Sequence, residues 1–149
     1  MEDLEPVVVI QRQLGARVRV RRDTDLSEKL MLKFPFALGR IDWLSVPRHV
    51  SLALPSSEHV AKVLAFLEKE LVSAECVDSW AAYTGDSMDE EYEVERAALP
   101  EFLLIVESIP DHKYIFSLDA SWCLMWSMEG HVDFGLAPAR LKRRRRGDG

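Results

Sequence analysis

The chain has 149 residues, is 48% hydrophobic and 30% charged, and carries a formal net charge of −6, the composition of an ordinary folded domain large enough for one core without metal or disulfide support. No uninterrupted apolar run exceeds five residues, which excludes a helical membrane span and a signal-peptide core. Two cysteines, Cys76 and Cys123, read as free thiols in a reducing compartment, and with the acidic start MEDLEP they point to a cytoplasmic protein.

From the start, Val7 to Ile10 is a short apolar run that reads as a buried strand, with Pro6 at its entrance. Gly15 marks a turn. Residues 16–22 then alternate, Val18 and Val20 inward and Arg17, Arg19 and Arg21 outward, which is the pattern of a half-buried strand. Across 23–49, apolar residues such as Phe34, Phe36 and Trp43 are broken by Pro35, Gly39 and Pro47. This stretch reads as a loop with a short helical turn, its aromatics pinned into the core. Val50, Leu52 and Leu54 alternate and give a short strand. Val60, Val63, Leu64, Leu67 and Leu71 recur at helical spacing, so residues 57–73 are predicted as a helix opened by Ser56-Ser57.

Residues 84–96, TGDSMDEEYEVER, hold six carboxylates and one arginine. Ser87 and Glu90 have capping-box spacing, so either a loop or a helix start fits. Pro100 suits the first turn of a second helix over 100–109, closed by Pro110.

Residues 113–136, KYIFSLDASWCLMWSMEGHVDFGL, alternate with period two and are punctuated at Asp119-Ala120 and Glu129-Gly130, giving a three-stranded meander. Reading both as two-residue turns sets Phe116 opposite Cys123, Tyr114 opposite Met125, and Met125 opposite Phe134. One face then carries Tyr114, Phe116, Cys123, Met125, Val132 and Phe134 and must be core. The other mixes Trp122, Leu124 and Trp126 with Lys113, His131 and Asp133. Either a helix or the N-terminal strands cover this mixed face, or Trp122 and Trp126 anchor a partner. A slip of one residue would exchange the faces. The predicted fold is α+β: one domain over residues 1–139 with an antiparallel sheet of five or six strands on two helices.

Charge is unevenly spread. RLKRRRR at 140–146 holds six of the 19 basic residues, and residues 140–149 read as a disordered basic tail. With Arg12, Arg17, Arg19, Arg21 and Arg22 that tail could hold nucleic acid through its phosphates. Against it stands the acidic body, which would repel a polyanion. Glu129, His131 and Asp133 alternate as metal ligands could, but no second ligand cluster accompanies them, so no metal is expected. Cys123 near His112 or His131 could be a nucleophile, yet the register turns it into the core, where a thiol is inert. No phosphate loop, nucleophile elbow or Cys-x-x-Cys pair occurs, so no enzyme activity, catalytic residue or cofactor is expected. The acidic segment beside Trp80 and Tyr83 reads best as a surface for a basic protein.

Tyr114-Ile115-Phe116, Trp122-Cys123-Leu124, Glu129-Gly130 and Asp133-Phe134-Gly135 together resemble the aromatic meander of small bacterial immunity proteins that neutralise polymorphic toxins. The resemblance spans about residues 100–136. It implies a small acidic inhibitor that binds a basic toxin domain. The partner-binding residues expected are Trp80, Tyr83, Asp86, Asp89, Glu90, Glu91, Glu93 and Trp126, and reversing Glu90, Glu91 and Glu93 to lysine should slow association without unfolding the chain. A nucleic-acid-associated protein acting through its arginine tail is the alternative.

Overall fold

The computed structural model describes residues 5–139; the basic tail over 140–149 lies outside the described residues. The fold is α+β, built on an antiparallel sheet with helices on both sides. The chain opens with helix α1 (Pro6–Leu14) and strand β1 (Val18–Arg21), followed by α2 (Asp25–Lys33), a two-residue ladder of β2 (Phe36–Ala37) with β3 (Arg40–Ile41), and β4 (Val50–Ala53). Then come α3 (His59–Ser73), the hairpin β5 (Trp80–Gly85) and β6 (Glu91–Glu95), α4 (Leu99–Val106), and the meander β7 (Lys113–Ser117), β8 (Trp122–Trp126) and β9 (His131–Leu136). Seven of the strands form one sheet in the order β1-β6-β5-β7-β8-β9-β4. The helices and strands expected at 16–22, 50–54, 57–73, 100–109 and 113–136 are present, the first shortened to Val18–Arg21 because Gly15–Arg17 form a 3₁₀ turn. The sheet gains width because the acidic segment is itself a strand.

Each face of this sheet has its own core. On one, Tyr83, Tyr92, Ile115, Trp122 and Leu124 pack beneath α1, α3 and α4 through Ile10, Leu67 and Phe102. On the other, Ala82, Tyr114, Phe116, Cys123 and Met125 pack beneath α2 and the segment after it through Leu26, Leu30, Phe34 and Ile41. The mixed face of the meander is therefore covered by helices. Trp122 and Trp126 are buried in it and are not surface anchors.

Three sequence readings are corrected. Val7–Ile10 is not a strand but the first half of α1. Pro6 occupies its first turn, where the missing N–H costs nothing, and Val7, Ile10 and Leu14 recur at helical spacing toward the core. Residues 25–33 are a full helix rather than a loop with one turn. The third correction is the register of the second hairpin. The first is as expected, with Tyr114 opposite Met125 and Phe116 opposite Cys123. In the second, Met125 faces Asp133 and Leu124 faces Phe134. The Ser127 N–H donates to the His131 carbonyl, so the turn holds three residues, Met128 to Gly130, with Gly130 at φ 85°. That one extra residue moves Val132 and Phe134 to the helix-covered face.

The β2–β3 turn has the opposite character. Leu38 and Gly39 both take positive φ, 55° and 80°, the mirror-image turn that Asn-Gly suits and a branched side chain strains. Leu38 is also fully exposed. Leu38→Asn is expected to raise unfolding free energy by about 0.5–1 kcal/mol in urea titration, since it relieves a left-handed leucine and uncovers nothing. A loss of stability would mean that Leu38 packs on its neighbours.

Candidate functional site

The acidic segment folds as a hairpin because Glu91-Tyr92-Glu93-Val94-Glu95 alternates. Tyr92 and Val94 enter the core under the helices, and the glutamates point to the α2 side. The loop or helix start expected over 84–96 is thus corrected to a strand hairpin, and this alternation is the signal in the sequence that carries it. It also decides which carboxylates are available to anything outside the chain.

Glu93 is not available. It is buried, takes hydrogen bonds from Arg19 at 2.8 Å and Arg21 at 2.6 Å, and so joins β6 to β1. Burial alone would raise its pKa; the two guanidinium groups outweigh that and hold the carboxyl below the usual range. Arg19 also lies over the Trp80 ring at 3.9 Å from its centroid, so half-buried Trp80 is engaged from inside the chain. Glu91 is buried as well. It accepts from the Leu26 and Ser27 amides at 3.0 and 3.2 Å and from the Ser27 hydroxyl, satisfying the free N–H groups at the start of α2. A helix with no side-chain cap of its own is thus capped from a strand 65 positions away.

These placements correct the expected partner-binding set. Tyr83 is fully buried against Phe102 with ring centroids 4.8 Å apart, and Trp126 is buried beside Lys113. Neither can anchor a partner on the folded surface. Glu91 and Glu93 are structural, and their reversal would break α2 capping and the β1–β6 ion pairs. Asp86, Asp89 and Glu90 remain. They sit on the β5–β6 turn, Asp86 and Asp89 exposed and Glu90 half-buried, and none has a lysine or arginine within ion-pair distance among the described residues. Burial against the turn raises the pKa of Asp86, partly offset by the His112 and Arg40 charges.

The turn is held firmly. The Ser87 hydroxyl donates to Asp111 Oδ2 at 3.1 Å, and the Asp86 N–H donates to the His112 carbonyl at 3.2 Å. Between the turn, α2 and the β2–β3 hairpin lies a cleft of about 280 Å³ whose walls include Met31, Phe36 and Met88 and whose floor includes Thr84 and Tyr114. Asp86, Asp89 and Glu90 rim it.

Other sequence candidates lie elsewhere. Glu129, His131 and Asp133 line one shallow cleft, but Glu129 is 3.4 Å from Arg40 and Asp133 takes His49 Nε2 at 2.7 Å, so both carboxylates are engaged within the chain. Among the described residues no group of three His, Cys, Asp or Glu side chains is arranged to hold a metal. Cys123 is buried as the first-hairpin register required, and burial pushes its thiol pKa well up. No described helix is long and apolar enough to cross a membrane. No family model matches this chain, and no curated protein matches it in sequence.

Proposed function

We propose that the chain is a non-enzymatic protein-binding module of the immunity-protein kind, which binds and neutralises a basic toxin domain through the rim of this cleft. The observation that carries the reading is the set of carboxylates on the β5–β6 turn, Asp86, Asp89 and Glu90, without ion-pair partners among the described residues, beside apolar Met31, Phe36 and Met88. Apolar contact area ringed by uncompensated charge is what a specific interface uses for affinity and steering. A basic partner would neutralise a turn that the fold leaves acidic. The aromatic meander similar to that of immunity proteins supports the same reading.

The nucleic-acid alternative draws no support from the arginine row. Arg17 pairs with Glu101, Arg19 with Glu93, and Arg21 with Glu93, Asp23 and Asp25. It rests on residues 140–146, outside the described residues.

The test is co-purification from the native host, followed by stopped-flow association with the captured partner. One stoichiometric partner with a basic domain whose toxicity the chain suppresses is expected. Reversing Asp86, Asp89 and Glu90 to lysine should slow association about tenfold or more at low salt and leave the unfolding midpoint within error. An unchanged rate removes the acidic turn from the account. Nucleic acid that leaves with deletion of residues 140–149 would replace this reading with its alternative.

A further inference from the structure

The floor of the cleft carries a second observation, independent of its acidic rim. Thr84 and Tyr114 lie opposite one another on neighbouring strands, both on the face that carries α2. They are only 8% and 6% exposed, yet neither hydroxyl joins any hydrogen bond that the described residues make. Neither hydroxyl is sealed from the cleft that both residues line, so each is free to meet a group that enters. Burial raises the Tyr114 pKa, with the Asp86 charge next in effect, so its hydroxyl stays a donor and acceptor near that carboxylate.

We propose that this cleft receives one arginine side chain of the basic partner, its guanidinium between the Asp86–Glu90 rim and the Thr84 and Tyr114 hydroxyls. The assignment rests on the protein-docking reading above and specifies its chemistry. At about 280 Å³ the space falls just below the roughly 300–1,000 Å³ of pockets for drug-sized ligands, which suits one long side chain. Guanidinium matches the lining better than ammonium does. Its planar fork of five donors meets carboxylates and hydroxyls together, and it stacks on aromatic faces such as Phe36 and Tyr114, whose ring centroids lie 6.4 Å apart. Arg40, next to Gly39 of the lining, is turned to Glu129 at 3.4 Å and His112 Nε2 at 2.5 Å and leaves the rim carboxylates unpaired.

The test is a ¹⁵N NMR titration of the full chain with N-acetyl-arginine amide, run beside its neutral isostere N-acetyl-citrulline amide. Saturable shifts at the Gly39, Thr84, Gly85 and Tyr114 amides are expected with the first and not the second. Tyr114→Phe, which keeps the ring and removes an unbonded hydroxyl, should weaken binding about three- to tenfold. Asp86→Asn should weaken it at least as much. Equal response to both probes, or shifts spread over other acidic surfaces, overturns the arginine pocket. Tighter probe binding after deletion of residues 140–149 also overturns it, because the chain's own arginines would then be the occupant. If the pocket fails while reversal of Asp86, Asp89 and Glu90 still slows association with the partner, the docking reading stands without it. If neither has an effect, both fall.

Discussion

Lys113→Met should cost about 3–5 kcal/mol of unfolding free energy in urea at neutral pH, a large share of the roughly 5–15 kcal/mol typical of a domain. Lys113 is 4% exposed and Asp111 2%, and Lys113 Nζ lies 3.2 Å from Asp111 Oδ1. The ammonium also donates to the Ile109 carbonyl at 2.7 Å, closing the connection from α4 into β7. Asp111 in turn accepts from Ser87, so this pair underlies the acidic turn as well as the core. Methionine fills the same volume but leaves a buried carboxylate with no cation. That residual charge, rather than the lost attraction, supplies most of the cost. Adding Asp111→Asn should recover part of the loss, and the double-mutant cycle measures the coupling. A deficit below about 1 kcal/mol would mean that water reaches the pair.

The same neighbourhood shows how far the sequence could be read. In the sequence Asp111 merely follows the helix-closing Pro110, and Lys113 is one polar residue on a mixed face; nothing in their spacing says that the two charges meet inside. Elements with a strong period were legible. Val60, Val63, Leu67 and Leu71 fix α3, and the alternation through 113–126 fixes the first hairpin with its register. Failures came where the deciding contact is distant or local patterns are ambiguous. A run of four apolar residues such as Val7 to Ile10 fits either a strand or a helix, and only Leu14, about one helical turn after Ile10, separates them. Helix α2 buries just Leu26 and Leu30 and borrows its cap from Glu91, a dependence no local window contains. The acidic turn is legible from composition alone. Which of its carboxylates are free was decided by Arg19, Arg21 and α2, and the unbonded hydroxyls of Thr84 and Tyr114 left no trace in the sequence.

Trp122→Ala should destabilise the chain by about 3–5 kcal/mol, and the reason separates two readings of the meander. Were Trp122 a surface anchor, truncation would weaken partner binding and leave unfolding untouched. In the fold it is fully buried, stacked on Phe134 with centroids 6.0 Å apart, and its indole N–H donates to Asp78 Oδ2 at 2.7 Å. That hydrogen bond ties β8 to the segment entering β5, so the ring contributes both volume and a cross-link. The two are separable. Trp122→Phe retains much of the apolar burial but leaves Asp78 without its donor, and should cost about 1–3 kcal/mol. Asp78→Asn keeps an acceptor and should cost less than Trp122→Phe. The expected order in urea denaturation is therefore Ala worst, Phe intermediate and Asp78→Asn mildest. Partner affinity of the folded fraction should be unchanged in all three, because Trp122 lies on the sheet face opposite the cleft. Lost affinity with an unshifted unfolding midpoint would return Trp122 to the surface and move the docking site away from the acidic turn.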